Sequence, residues 1–143
     1  MTQNSQAPAP PMPVPNPLTQ FYWDAVKLRE LWIQRCQSCG HYIHFPKPIC
    51  RFCQSQDLAG ERVSGSATLY SWTIAMQPFH PFYVDKIPYN IATVELVEQR
   101  GLMLLTRIVD CPEDRLEADM PLEVEFEDVT PELVLPVFRP ASG

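Results

Sequence analysis

Four cysteines arranged as two close pairs are the residues of this chain most able to do chemistry. Cys36 and Cys39 form the first pair, ten residues follow, and Cys50 and Cys53 form the second pair. Two C-x2-C pairs can place four thiolates at the corners of a tetrahedron around one zinc ion. Because such a site leaves no open position for water, the spacing predicts a structural zinc ion that stabilises the fold and takes no part in catalysis.

Other interpretations of the cysteine pairs are an iron site of the rubredoxin type, which uses the same four ligands, disulfide bonds, and chance spacing. His41 and His44 lie between the pairs, but four cysteines already complete the coordination shell. Spacing of the metal-binding type indicates a reducing compartment. Cys111, the cysteine outside the pairs, is predicted to be a buried and inert thiol.

Length and composition fit one compact domain or two small domains that share an interface. The chain has 143 residues, of which 45% are hydrophobic, and a formal net charge of −6. We find no signal peptide and no apolar stretch of membrane-spanning length, so we expect a soluble cytoplasmic protein without a membrane partner. Acids concentrate in residues 110–132, which disfavours a nucleic-acid partner.

Changes in composition divide the chain into three segments. Residues 1–17 are rich in proline, alanine and polar residues, and they are predicted to form a disordered arm. Residues 18–58 are predicted to hold an N-terminal helix and the zinc ribbon, and residues 59–143 an OB-fold domain. Residues 55–60 are predicted to be a linker between the last two segments.

Alternating apolar and polar residues in the last segment predict five strands, the first of them long and bulged at Gly65. A crossing between the third and fourth strands fits an OB-type barrel. The predicted fold is therefore mainly β, with an N-terminal helix, a rubredoxin-like zinc ribbon and a five-stranded OB-fold barrel. The helix, with Thr19 as its cap, is predicted over residues 18–34, of which residues 32–34 lead into the first cysteine turn as a short strand. The barrel strands are predicted over residues 63–76, 89–97, 102–109, 122–127 and 133–138.

Short motifs spread over residues 21–140 give the chain a resemblance to a known family. They read LxxxxCxxCGxxxxFP from Leu31, CxxC from Cys50, SGxAxLYSWT from Ser64, PY from Pro88, VEL from Val94, MPLEV from Met120 and LPVFRP from Leu135. Together they resemble the bacterial and archaeal zinc-ribbon/OB-fold family long catalogued as a domain of unknown function. The chain departs from it at Lys47-Pro48, where the family often has Pro-Arg, and at Gln99-Arg100-Gly101, where it often has an acidic-glycine turn.

The resemblance implies a non-catalytic subunit. Members of this family resemble subunits or domains that dock on a thiolase, a hydroxymethylglutaryl-CoA synthase, a steroid side-chain aldolase or an enoyl-CoA hydratase. On this resemblance the chain would carry structural zinc and form a hetero-oligomer with a thiolase-like enzyme. It would help to bind acyl-CoA or to pass an intermediate between enzymes.

An aromatic, proline-rich loop at residues 77–89 is too apolar for a solvated loop, and it is predicted to contact the partner or to line an acyl-CoA tunnel. The aromatic start of the helix is assigned to the same surface, and bases beside the cysteines are assigned to CoA phosphates. The alternative is that the loop folds over the open end of its own barrel. The predicted contacts are Phe79, Phe82, Tyr83, Phe21, Trp23, Lys47, Arg51 and Arg35.

Two further functions stay open on the sequence alone. Zinc ribbons and OB barrels both serve as nucleic-acid-binding modules, although the acidic strand at residues 122–127 does not fit a positive groove. An enzyme in its own right would need a catalytic pair, for which His80 and Tyr83 are the candidates.

Overall fold

The computed structural model of the chain describes residues 9–141, so residues 1–8 of the predicted disordered arm lie outside the described part. One α-helix, eight strands and two short 3-10 helices (Pro81–Tyr83 and Glu113–Arg115) make up the regular structure of the described chain, and the α-helix and strands are named in chain order. They are α1 (Gln20–Lys27), β1 (Trp32–Cys36), β2 (Tyr42–Ile43), β3 (Leu58–Arg62), β4 (Ser66–Ala75), β5 (Tyr89–Leu96), β6 (Met103–Thr106), β7 (Pro121–Thr130) and β8 (Leu133–Pro140).

The strands form two antiparallel sheets. A three-stranded ribbon has the order β2-β1-β3, and a five-stranded sheet has the order β6-β5-β4-β7-β8. The larger sheet curls until its ends meet. Ile108, just after β6, forms a parallel bridge with Phe138 of β8, and the Phe138 N–H donates to the Arg107 carbonyl at 3.0 Å. This closure gives an OB-type barrel beside a cysteine-bearing ribbon, so the predicted fold class is confirmed.

α1 is shorter than the helix predicted over residues 18–34. Thr19 occupies the N-cap position, as predicted, but its side chain makes no capping bond to the helix. The side chain of Asn16 instead accepts from the Thr19 N–H at 3.0 Å. The helix ends at Lys27 because Arg29 adopts a left-handed φ of 61°, which reverses the chain and leads it into β1.

β3 overlaps the linker predicted at residues 55–60, and that prediction is wrong for residues 58–60. β3 pairs with β1 along its whole length, with Leu58 opposite Cys36. This pairing joins residues that are distant in the chain. A local pattern therefore does not reveal it.

The bulge of the long barrel strand lies further along the chain than predicted. It falls between Leu69 and Ser71, where the register with β5 shifts. Gly65 lies just before β4 with a φ of 86°, and a Cβ atom there would be 2.3 Å from Val124 Cγ1. Gly65 is therefore required for the close approach of β7 and does not form the bulge.

A single hydrophobic core fills the barrel and extends under the helix and the start of the ribbon. Tyr22 and Val26 of α1 and Leu31 and Ile33 near the start of β1 pack into it. The helix and the ribbon are thereby fixed on the barrel by apolar burial. The other buried members are Val63, Ala67, Leu69, Ala92, Val94, Leu96, Leu102, Leu104, Ile108, Leu116, Leu122 and Phe138.

Candidate metal centre and aromatic groove

The four paired cysteines meet at the end of the ribbon. Their sulfur atoms all lie within 4.8 Å of one another. Cys36 Sγ is 3.5 Å from Cys53 Sγ, and Cys39 Sγ is 3.6 Å from Cys50 Sγ. A tetrahedral site with zinc–sulfur bonds of about 2.3 Å has sulfur–sulfur edges of about 3.8 Å, so the cluster has the dimensions that zinc needs.

The backbone of each cysteine turn supports a thiolate. The Cys39 N–H points at Cys36 Sγ at 3.4 Å, and the Phe52 N–H points at Cys50 Sγ at 3.3 Å. The hydrogen bond from the Cys39 backbone lowers the pKa of the Cys36 thiol to about 6. These donors favour the deprotonated sulfur that a metal requires.

Both turns close through a residue in the left-handed region. Gly40 (φ 83°) donates its N–H to the Cys36 carbonyl, and Gln54 (φ 66°) donates its N–H to the Cys50 carbonyl. Glycine signals the first turn in the sequence, but Gln54 gives no such signal for the second. A zinc ion bound here would link the two turns and, with four thiolates around it, would keep no open position for a substrate.

His41 lies beside the cluster and does not belong to it. Its Nδ1 is 3.2 Å from Cys39 Sγ, which makes it a hydrogen-bonding neighbour of the sulfur. Cys36 and Cys50 are buried, whereas Cys39 and Cys53 are exposed. One sulfur from each turn therefore faces the interior, and the other faces solvent.

Three of the predicted contact residues meet in one groove of about 510 Å³ on the barrel. Trp23 comes from α1, and Phe82 and Tyr83 come from the loop between β4 and β5. Tyr89 at the start of β5 stacks on Tyr83, with ring centroids 5.1 Å apart. Leu105 and the β7–β8 end of the barrel complete a mostly apolar lining. We call this surface the aromatic groove.

The charged residues of the aromatic groove are nearly balanced. Arg107 pairs with Glu127, and the Lys86 ammonium lies 4.0 Å from the ring centroid of Phe82. Burial raises the pKa of Tyr83 still further above neutral pH, and its hydroxyl is protonated at pH 7. Arg107 follows β6 and Glu127 lies in β7, and closure of the barrel through β8 brings them together, so sequence reasoning missed them.

The other predicted contacts lie outside the aromatic groove. Phe79 is 75% exposed, and the ring of Phe21 lies against Gly60 of the ribbon, where a Cβ atom would be only 2.4 Å from it. Lys47 and Arg51 are exposed on the ribbon. The guanidinium of Arg35 is engaged by Gly40, Glu61 and the Tyr42 ring and is held within the ribbon.

A second cavity of about 450 Å³ adjoins the aromatic groove and shares Tyr22, Trp23 and Leu105 with it. His44 and Phe45 of the ribbon line this cavity. Burial lowers the pKa of His44 to about 4, so its imidazole is neutral at pH 7. The two cavities form a continuous apolar surface from the ribbon to the barrel. No helix in residues 9–141 is long and apolar enough to cross a membrane.

Two family descriptions match this chain over adjoining ranges. Residues 23–59 match "ChsH2, rubredoxin-like zinc ribbon domain", and residues 60–127 match "ChsH2, C-terminal OB-fold domain". The boundary between them falls within β3, at the point where the ribbon leads into the barrel.

Among individual proteins, the chain is 40% identical over 131 residues to "Probable enoyl-CoA hydratase alpha subunit" of Thermomonospora curvata. The match covers 92% of this chain, which spans only 40% of that relative's length. The chain is 31% identical over 99 residues to "DUF35 domain-containing scaffold protein" of Methanothermobacter thermautotrophicus, a match that covers 68% of this chain and 72% of that protein.

The solved structure "Ltp2-ChsH2(DUF35) aldolase" contains a chain of the same fold. It superposes with a TM-score of 0.83 at 39% identity, and the match covers 92% of this chain and 100% of that chain. The first matched range contains the cysteine cluster, and the second lies in the closed barrel. The chain belongs to the ChsH2-type zinc-ribbon and OB-fold family, also known as DUF35, and its cofactor is a structural zinc ion.

Proposed function

We propose that this chain is a non-catalytic subunit that docks on a thiolase-like enzyme, a thiolase or a steroid side-chain aldolase, and helps to bind or channel its acyl-CoA. The observation that carries the proposal is the aromatic groove, where Trp23, Phe82 and Tyr83 converge. The relatives support it, because their names describe a hydratase alpha subunit, a scaffold protein and an aldolase.

The zinc centre holds the ribbon in place in this proposal. Cys36, Cys39, Cys50 and Cys53 are the ligands, and they take no part in substrate chemistry because all four positions around the ion are filled. The zinc acts on function only by fixing the ribbon side of the apolar surface, where His44 and Phe45 lie.

The arrangement of polar groups argues against independent catalysis. His80 Nδ1 accepts the Phe82 N–H at 3.1 Å, and the rings of His80 and Tyr83 are 6.5 Å apart. This pair therefore lacks the hydrogen bond that a nucleophile and its base require. In the aromatic groove, Arg107 and Glu127 already pair with each other.

The aromatic groove has the size and the polarity of a small-molecule site. Its volume of about 510 Å³ falls within the roughly 300–1,000 Å³ that is usual for ligand pockets. The apolar wall suits an acyl or pantetheine chain, with Lys86 and Arg107 as nearby cations. Because Glu127 and Asp128 offset these cations, the groove is poorly suited to a nucleic-acid backbone.

The loop that carries Phe82 also supplies a surface for the enzyme partner. Phe79 and Val84 are 75% and 60% exposed on either side of it. Burying each of these side chains in an interface is worth about 1.5–3 kcal/mol before the costs of association. Lys47 and Arg51, which are exposed on the ribbon, remain our candidates for CoA phosphates.

The test combines the purified chain with a thiolase-like subunit from the same organism. Light scattering measures complex formation, and calorimetry with acetyl-CoA and a steroid side-chain acyl-CoA measures ligand binding. We expect no turnover by the chain alone, a hetero-oligomer in the mixture, and a partner that gains activity. A partner that is fully active alone would contradict the proposed role.

A double substitution tests the groove itself. Phe82→Ala with Tyr83→Ala should leave a folded, zinc-loaded chain that loses its partner or weakens acyl-CoA binding at least about tenfold. The matched control is Leu28→Ala, which removes a side chain that is 72% exposed at the end of α1. If the melting temperature of the double variant instead falls sharply while complex formation per folded molecule is unchanged, the loop belongs to the core and the groove assignment is wrong.

A further inference from the structure

The second half of β4 has an open edge. β7 pairs with β4 only over its first residues, and the last bonds on that side join Leu69 to Met120 at 3.1 Å and Asp119 to Leu69 at 2.8 Å. Beyond that point, residues 70–75 pair with β5 alone in the described part of the chain. The backbone N–H and C=O groups that face away from β5 are therefore available to another strand.

Both faces of the first four residues of this half-strand are also uncovered, whereas Ile74 is half-buried and Ala75 is buried. Side chains alternate between the two faces of a strand, so consecutive exposed residues mean that neither face is packed. Tyr70, Ser71, Trp72 and Thr73 are all exposed, and Tyr70 is 57% exposed. The uncovered surface therefore combines unpaired backbone groups with two aromatic rings.

Residues 70–75 lack the features that normally protect an edge strand. Their sequence, YSWTIA, contains no charged residue, no proline and no glycine. The bulge lies at the start of the open segment, and beyond it the register with β5 runs without a break from Ser71↔Thr93 to Ala75↔Tyr89. The edge is therefore regular along the length that a partner strand would occupy.

The charge beside the edge is acidic at one end only. Asp119, just before β7, is exposed at the point where pairing between β7 and β4 stops. Glu117 is exposed two residues before it. Neither carboxylate forms an ion pair with a residue in the range 9–141. A strand added to this edge would meet negative charge at the Leu69 end and neutral residues elsewhere.

We propose that residues 70–75 bind an extended segment of another protein by strand addition. Since β5 and β7, the two strands that pair with β4, both run antiparallel to it, the added segment also runs antiparallel to β4, with its C-terminal end beside Asp119. The segment is uncharged along the edge and basic at its C-terminal end. This surface is separate from the aromatic groove, and the proposal does not rest on the function proposed above.

A second copy of the chain fits this edge less well. Two β4 edges related by a two-fold axis would place the acidic end of one copy beside the neutral end of the other, so the carboxylates would gain nothing. Each copy also carries a net charge of −6, which opposes association. Charge complementarity therefore favours a different chain with a basic end.

The test uses a capped peptide of alternating threonine and valine that ends in two lysines, titrated into the full chain and followed by amide NMR. We expect shifts and slowed hydrogen exchange centred on residues 70–75. A control peptide that ends in two glutamates should bind about tenfold more weakly at low salt, and the difference should shrink in 0.5 M salt, an order-of-magnitude expectation for two exposed charges.

Substitutions on β4 locate the contact. Ser71→Lys with Thr73→Lys places charges on the open edge, and it should abolish the shifts while both exposed positions leave the fold intact. Ser66→Lys is the matched control, because Ser66 is exposed on the same strand but already pairs with Glu123 of β7. A single Thr73→Lys variant replaces the double variant if the latter does not fold.

Four results of the peptide titrations would overturn the proposal. They are an absence of shifts at millimolar peptide, shifts confined to the aromatic groove, equal binding of the two peptides at low salt, and loss of peptide binding in Ser66→Lys. Light scattering on the chain alone provides a further check. A dimer that the Ser71→Lys and Thr73→Lys changes convert to a monomer would make the occupant a second copy and reject the hetero-partner.

Discussion

The ribbon and the barrel are stabilised by different interactions. The barrel encloses a continuous core that includes Phe138, Leu69 and Leu122, all with almost no exposed surface. Within residues 9–141, the small apolar cluster around the cysteines contains only Ile43 and Leu58 besides Cys36 and Cys50 themselves. A region with so little hydrophobic surface cannot offset the entropy of ordering its backbone, so the ribbon depends on its metal and the barrel does not.

β1 connects the two kinds of stabilisation. Ile33 near its start is buried in the barrel core, and Cys36 at its end belongs to the metal cluster. Between them, the side chain of Gln34 makes two hydrogen bonds of 2.9 Å with the backbone of Lys47. Because a different interaction stabilises each end of β1, a change at one end should leave the other end folded.

Cys53→Ser should have the largest effect and should fall on the ribbon. Loss of one thiolate removes most of a zinc-binding free energy on the order of 10 kcal/mol. We expect loss of zinc by mass spectrometry and loss of exchange protection in the cysteine turns and β2, with protection kept in β5 and β6.

Cys111→Ser is the matched control for that change. Cys111 is half-buried outside the cluster, and its thiol contacts the Pro112 carbonyl. This variant should keep one zinc and melt within about 0.5 kcal/mol of the parent chain. A Cys53→Ser variant that also keeps its zinc and its melting behaviour would show that the ribbon does not need four thiolates.

Phe138→Ala should have the next largest effect and should fall on the barrel. Phe138 has 0% exposure, and its truncation leaves a cavity that costs about 3–5 kcal/mol. Because the ribbon is held by zinc, the folded variant should still bind one zinc ion. Urea unfolding and zinc analysis check this, with Val97→Ala, at 60% exposure, as the neutral control. If zinc is lost in proportion to stability, the two regions are not independent.

Local patterns in the sequence predict the ribbon's chemistry better than the course of its strands. The C-x2-C spacing predicts the cysteine cluster because each turn spans only a few residues. The end of α1 is set by the left-handed Arg29, a residue type that gives no stop signal. β3 forms by pairing with β1, and both cysteine turns separate the two strands in the sequence. A local pattern does not reveal this pairing, so residues 58–60 were predicted as linker.

The residues of the aromatic groove, too, could be predicted from the sequence only in part. The composition of the loop at residues 77–89 predicts an unusual surface, and Phe82 and Tyr83 do line the groove. Phe79 lies outside it because the curl of the barrel decides which loop residues face inward. The predicted bases Lys47 and Arg51 lie outside it because they belong to the ribbon.

His44 provides a pH test of the boundary between ribbon and helix. Burial lowers its pKa from 6.5 to about 4, so the unfolded chain binds more protons between these pH values. Stability should therefore fall as the pH falls, by about 2 kcal/mol from this group between pH 7 and pH 5. His44→Phe should flatten that part of the profile in thermal melts at constant zinc occupancy. If the profiles of the two proteins run parallel, burial of His44 does not contribute.

Gln99→Met should have the smallest effect. It tests most directly whether the ribbon and the barrel are stabilised independently, because Gln99 joins them. Gln99 lies in the turn between β5 and β6, where its Oε1 accepts the Tyr42 N–H at 2.8 Å and its Nε2 donates to the Tyr42 carbonyl at 3.0 Å. Asn90 makes the same pair of hydrogen bonds with the Ile108 backbone inside the barrel, and Gln34 makes it with the Lys47 backbone inside the ribbon. Losing two such bonds should cost about 1–2 kcal/mol.

The informative result is where this free energy is lost. If Gln99 couples the ribbon to the barrel, Gln99→Met should separate their unfolding, and exchange protection in β2 should fall while that of β5 is kept. Arg100→Ala, at the exposed next position, should change neither by more than about 0.5 kcal/mol. If both regions lose protection equally in Gln99→Met, the side chain merely supports the barrel turn. The ribbon would then be fixed on the barrel by apolar contacts, which include those of Leu31, Ile33 and Tyr42.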